Sequence, residues 1–293
     1  MIIISIGAGL GNQMFEYAFY RQLIRRYPDT EIKVDTRYAF PMAHNGIEIF
    51  KIFNLKADTA SLSEVKRLVG YYPFAGDGYK VNWFVSRIIR RFCLYPKSLL
   101  IQKDFSEFYN AFFELNVSKD YYIYGPFANY RYFKDVEKEI QQLYIFPEID
   151  DERNTIYEQQ IKESESVSVH IRRGDYVTNG FQLPPPAYYD AAMKKIIDLT
   201  DNPRFFIFTD DVCYCEKVFP DNKRYVIVKG NTGTLSYRDM QLMSLCRHNI
   251  IANSTFSFWG AFLNRNQNRI IIAPNLPFSG CKVPFACDDW FLI

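Results

Sequence analysis

Residues 2–23 read IIISIGAGLGNQMFEYAFYRQL. A short β-branched apolar run leads into a glycine-rich turn, and the turn leads into apolar residues at helical spacing. That is the strand, turn and helix that opens a nucleotide-binding α/β sheet. The turn itself is more selective. Gly7, Gly9 and Gly11 give G-x-G-x-G, with Asn12 where the dinucleotide fingerprint needs its third glycine. Asp35 closes the next strand, EIKVD at 31–35, at about the distance of a ribose-binding acid. A phosphate loop of the Walker type is excluded, because no G-K-[ST] follows. As plain structure, the stretch is a tight turn with Asn12 as N-cap and Phe15, Phe19 and Leu23 as the buried stripe.

The second half of the chain repeats the motif of strand and helix. SVSVHI (166–171), RFFIFT (204–209), RYVIVK (224–229), NIIA (249–252) and RIIIAP (269–274) alternate with amphipathic segments. One of those segments starts behind Pro184, Pro185 and Pro186, which suit a first helical turn. Such alternation predicts a parallel sheet covered on both faces. In the first half the pattern blurs from about Tyr38 to Asp120, and YYIYG at 121–125 resumes it. A polar, charged stretch around residues 145–166 separates the halves. The expected architecture is two α/β domains facing one another, 1–155 and 156–293.

With 293 residues, 23% charged and a net charge of +2, the chain lacks the basic stripe of a nucleic-acid binder. SRIIRRF, with Arg87, Arg90 and Arg91, reads as a solvated helix face, with peripheral contact to anionic lipid as the alternative. The apolar start is far too short to span a bilayer, and no cationic leader precedes it. Six cysteines show no framework spacing and only three histidines exist to complete a metal site, so a cytoplasmic protein with reduced thiols and no bound metal is expected. Asn116 and Asn253 sit in glycosylation sequons that would stay unmodified there. The 17% aromatic content hints at sugar stacking, but core filling accounts for it as well.

Ligands of open α/β sheets bind beyond the carboxyl ends of the strands. Four polar clusters fall there: GAGLGNQ, the RRGD after SVSVHI, the TDD after RFFI and the NSTFS after NIIA. Arg172 and Arg173, between His170 and Asp175, form a pair whose guanidinium forks match phosphate oxygens. Ser254 and Thr255 stand at a helix start, where backbone N–H groups favour an anion. Asp210 and Asp211 fit either a site or simple helix capping.

GLGNQMFEYA, HIRRGDYV and NSTFSFWGA together resemble the α-1,2-fucosyltransferases, family 11 of the glycosyltransferases, from Gly9 to Ala261. Glu16 stands where a glutamine is common and Phe258 where a second tryptophan is common. The resemblance implies a GT-B-like fold of two Rossmann-like domains around a cleft, with an N-terminal acceptor side and a C-terminal domain for the GDP-sugar. It implies GDP-fucose as donor substrate, a galactose-terminated oligosaccharide as acceptor, inversion, and no cofactor or metal. Arg172, with Arg173, would grip the diphosphate; Ser254, Thr255 and Phe256 would also touch the donor, as would His170 and Asp210. Asp239 would read guanine. Gly9, Gly11, Asn12 and Gln13 would face fucose or acceptor. Asp175 is a catalytic candidate beside Arg172, and Glu16, His44 and Asp35 are further possible bases. Competing readings are another GDP-fucose-dependent enzyme, an NAD-dependent oxidoreductase and a non-catalytic glycan binder.

Overall fold

The computed structural model describes residues 1–37, 45–69, 96–178, 180–219, 223–276 and 286–293, with Asp175 described by its backbone alone. Arg87, Arg90, Arg91 and His44 lie outside the described residues. Two compact units divide the chain, Met1–Leu143 and Tyr144–Ile293.

In the first unit, β1 (Ile2–Ser5) is wholly buried and pairs in parallel with β2 (Ile32–Asp35). α1 (Leu10–Arg26) joins them. α2 (Ile49–Ile52) and α3 (Leu62–Val69) follow, then β3 (Leu99–Ile101) and β4 (Tyr121–Tyr124), and the unit closes with α4 (Glu137–Leu143). Strand order is β2-β1-β4-β3, all parallel. β1 is therefore central, which explains its unbroken isoleucines: a strand covered on both faces has no polar side to present. The Phe15, Phe19 and Leu23 stripe is fully buried, and burial extends around most of α1. Phe19 stacks on Phe127 at 4.2 Å and meets Tyr132 edge-on at 5.3 Å. Much of the aromatic excess is thus core. Three-residue β3 is too short to show in sequence beside the loops around it.

In the second unit, α5 (Glu152–Lys162) precedes β5 (Ser166–Ile171), α6 (Gly174–Thr178) and α7 (Pro186–Leu199). β6 (Arg204–Thr209), α8 (Val212–Val218), β7 (Tyr225–Ile227) and α9 (Tyr237–Leu245) come next. β8 (His248–Ile250), α10 (Thr255–Phe262), β9 (Ile271–Ala273) and β10 (Phe291–Leu292) complete it. The sheet order is β10-β9-β8-β5-β6-β7, again all parallel, with β5 inside it and buried along its length. Both units thus have the parallel α/β architecture expected.

Alternation along β5 assigns the two faces. Val167, Val169 and Ile171 pack with Tyr188, Tyr189, Ala192 and Met193 of α7 and Cys215 of α8. On the other face, Phe206 and Phe208 of β6 pack with Ile161 of α5 and Leu242 and Met243 of α9. α9 and α10 approach so closely that a Cβ on Gly260 would lie 2.9 Å from Met243 Cβ.

The boundary comes earlier than the expected 155/156. Tyr144 sets its ring edge-on against Trp259 at 5.2 Å. Arg238, only 4% exposed, donates to the Pro147 carbonyl at 3.0 Å and to Asp150 at 2.8 Å. Residue 155 falls inside α5, which is packed on α9. The segment is polar in sequence because it carries these buried polar contacts, and polarity alone made it look like a linker.

Candidate active site

Arg172 and Arg173 follow the last residue of β5, and Asp210 and Asp211 follow the last residue of the neighbouring β6. Ile171 is paired with Thr209, so the next residues out are level. Arg172 Nη1 lies 2.8 Å from Asp210 Oδ2, while Asp210 Oδ1 accepts from the Arg173 backbone N–H at 2.8 Å. Arg173 Nε donates to Asp211 Oδ2 at 3.1 Å, and its guanidinium lies 3.8 Å from the centre of the Tyr214 ring. Asp211 also caps α8 by accepting from Tyr214 N at 3.0 Å. Both arginines keep 29% of their side chains exposed. Each is held by a carboxylate in one orientation with part of its fork left to solvent, the arrangement of a preorganised anion ligand.

Sequence reading had put Asp175 forward as the holder of an arginine. That task falls to Asp210 and Asp211, because strand pairing brings β6 level with the arginines. Asp175 lies in the first turn of α6. Gly174 before it is required by proximity, since a Cβ there would sit 2.7 Å from Asp210 Oδ2.

His170 faces the α9–α10 side, its ring 5.9 Å from that of Phe256. Burial, and secondarily the Arg172 charge, push its pKa down to about 3, so the imidazole is neutral near pH 7. Its Nδ1 is buried without a hydrogen-bond partner. Extending the β5–β8 register places Asn253 level with Arg172. Asn253 is 1% exposed, and neither its Oδ1 nor its Nδ2 has a hydrogen-bond partner. A buried polar group left so costs about 1–3 kcal/mol and calls for a reason. Ser254 caps α10, its hydroxyl accepting from Phe256 N at 3.3 Å, and Thr255 and Phe256 form the first turn.

Asp239 sits in the first turn of α9. Its Oδ1 accepts from Asn231 Nδ2 at 2.8 Å; Asn231 in turn exchanges amide hydrogen bonds of 2.9 Å with Asn154, which Asp151 holds at 2.8 Å. Desolvation pushes the Asp239 pKa up to about 7 despite the Asn231 hydrogen bond and the Arg153 charge, which lower it. Asn154, Asn231, Asp211 and Asn253 were missed as site residues. Only Asp211 and Asn253 lay in quoted motifs, and Asn253 had registered as a glycosylation sequon. The two amides behind Asp239 left no sequence signal.

In the first unit, α1 starts at Leu10 with Gly9 as N-cap, so Asn12 is a helical residue rather than the cap. The left-handed residue of the turn is Ala8, at φ 57°; Gly9, at φ −75°, is conventional. Gly11 and Gln13 are buried in α1. Gln13 donates to the Ala8 and Gly46 carbonyls, both at 2.8 Å, and accepts from the N–H groups of Glu48 and Ile49. Its amide ties the turn to the segment before α2, a fastening role. Glu16 accepts from Gly7 N at 2.7 Å, and burial raises its pKa well above the usual range. Asp35 is buried and bonded to Tyr122 and Arg37.

The family 11 glycosyl transferase sequence profile matches residues 98–288. The chain belongs to this family. It is 31% identical to the O-antigen biosynthesis glycosyltransferase WbnK of Escherichia coli, over 97% of this chain and 98% of that one. It is 30% identical to an alpha-1,2-colitosyltransferase of Escherichia coli, over 94% and 91% of the two chains. With galactoside 2-alpha-L-fucosyltransferase SEC1 of Bos taurus it shares 30% identity over 43% of this chain and 36% of that one. This family 11 protein is therefore a glycosyltransferase, and the oxidoreductase and non-catalytic readings fall away. Among the described residues, no group of three or more His, Cys, Asp or Glu could hold a metal ion, and no helix is long and apolar enough to cross a membrane.

Proposed function

We propose that the protein transfers L-fucose from GDP-fucose to the 2-hydroxyl of a terminal galactoside, with inversion and without a metal ion. The arginine pair held by Asp210 and Asp211 beyond β5 carries this reading. As the glycosidic bond to fucose breaks, positive charge grows on the sugar ring and negative charge on the leaving diphosphate. Arg172 and Arg173 meet the negative charge, together with the N-terminal end of α10 at Ser254–Phe256. Each arginine already has a carboxylate neighbour, so the cluster is neutral overall and its strength lies in orientation. Asp239, with Oδ1 fixed by Asn231, accepts from the guanine N–H groups. His170, neutral, and Phe256 flank the donor as uncharged contacts. The acceptor hydroxyl loses its proton to a carboxylate, with Asp175 as the candidate.

The fucosyl donor is supported by the likeness to a galactoside 2-alpha-L-fucosyltransferase. The likeness to an alpha-1,2-colitosyltransferase along most of both chains favours a second reading, with colitose as the transferred sugar. Turnover with GDP-fucose and with GDP-colitose on one galactoside separates the two. Arg172→Lys tests the mechanism common to both. A point charge keeps the pairing with Asp210 but loses the planar fork. Turnover should drop about 10²–10³-fold, while the melting temperature stays within a few degrees, because an exposed ion pair contributes about 0–1 kcal/mol. Near-native turnover in the purified variant, or wild-type activity abolished by a chelator, would overturn the scheme.

A further inference from the structure

A pocket of about 200 Å³ opens on the side of the β5 end opposite His170 and Phe256, and the donor contacts named so far do not use it. Leu183, Pro184, Tyr189, Tyr214, Val218 and Phe219 wall it, between the start of α7 and α8. Arg172 and Arg173 also line it, and Asp190 supplies a carboxylate. The Tyr189 hydroxyl is occupied by the His170 carbonyl at 3.1 Å, so that ring offers the pocket mainly its carbon surface.

We infer that this pocket receives the sugar of the donor, and that its apolar wall selects a 6-deoxyhexose by taking the C6 methyl and a C–H face of the ring. The inference rests on Arg172 and Arg173 gripping the diphosphate. Size is the first reason. An apolar cavity of about 150 Å³ is enough to take up benzene, so this one admits a single six-membered ring. Chemistry is the second. A nucleobase would find nothing on the leucine and proline wall to read its edge, whereas Asp239 lies with the elements of the opposite face. A purely apolar guest would have no use for two guanidinium groups and a carboxylate. A deoxy sugar joined to a phosphate matches both halves, methyl and ring face to the wall, hydroxyls to Asp190 and phosphate to the arginines. Position is the third, because the same two side chains that would hold the diphosphate form part of the pocket lining.

The test compares GDP, GDP-L-fucose and GDP-L-galactose by calorimetry, with no acceptor present. The two sugars differ only by a hydroxyl on C6. Wild-type protein should bind GDP-L-fucose about 10–100-fold more tightly than GDP-L-galactose, the range an apolar pocket achieves against one added hydroxyl. Leu183→Asn should bring that ratio towards one with GDP affinity unchanged. Val218→Asn, at a position 49% exposed and tolerant of polarity, should do the same from another wall. Equal binding of the two sugars by wild type would overturn the inference and leave the proposed function standing. So would an unchanged ratio in both variants, or an effect confined to acceptor KM. Absence of GDP binding by wild type would instead remove the reading beneath it.

Discussion

Asp239 is the residue at which binding and stability should pull in opposite directions. Its carboxyl must be ionised to accept from two guanine N–H groups, yet desolvation raises its pKa to about 7. GDP affinity should therefore rise as pH increases through about 7, and calorimetry on Asp239→Asn should show weaker binding without that slope. A pH-independent wild-type affinity would remove Asp239 from the base site. Stability runs the other way. The folded state keeps this proton at pH values where the unfolded chain has lost it, so stability declines from about pH 4 to about pH 7. Asp239→Asn should accordingly melt higher than wild type at pH 8 and equally at pH 4. Glu16 follows the same rule in the first unit. Its raised pKa means that ionisation on the alkaline side costs stability, while its one recorded task, accepting from Gly7 N, suits an uncharged carbonyl as well. Thermal melts of Glu16→Gln should show a gain over wild type that widens as pH rises. A constant gap between pH 5 and pH 9 would mean that Glu16 does not titrate with folding.

At the scale of elements, the turn from β5 into α6 shows what sequence could and could not reveal. The strand was legible because six buried residues of β-rich composition precede a sudden polar cluster, and the arginines were legible as an anion site from residue type alone. Their holders were not. Asp210 and Asp211 reach them through the β5–β6 register, a non-local pairing that single-sequence periodicity does not encode. The opening turn failed differently: its glycines suggested left-handed backbone, but that conformation falls on Ala8, and Gln13 was legible as polar but not as a fastener. Gly174 carries the test at this scale. Alanine there drives a methyl into Asp210 Oδ2, the atom that pairs with Arg172. Displacing that carboxylate re-aims the guanidinium, and misplacement of about 1 Å at a reacting group can cost about 10²-fold. Gly174→Ala should lose turnover on that order while GDP still binds and melting changes little. Unaltered kcat would show that Asp210 does not set the arginine.

Across the whole molecule, the decisive question is where the second unit begins. Polarity placed the division at 155, but packing places it at 143/144. A unit of about 150 residues can bury enough surface to stand alone, provided that its buried polar groups keep their partners. Starting at 156 removes Asn154 from the amide exchange with Asn231, Pro147 and Asp150 from the buried Arg238, and Tyr144 from Trp259. Each orphaned polar group costs about 1–3 kcal/mol, against a total stability of about 5–15 kcal/mol for a domain. Three such losses together can consume the margin. A chain of residues 144–293 should therefore melt in one cooperative transition followed by circular dichroism, and a chain of residues 156–293 should show none, or one at least about 10 °C lower. Equal cooperative melts for the two would mean that residues 144–155 are a linker after all, and that the amides behind Asp239 need no support from α5.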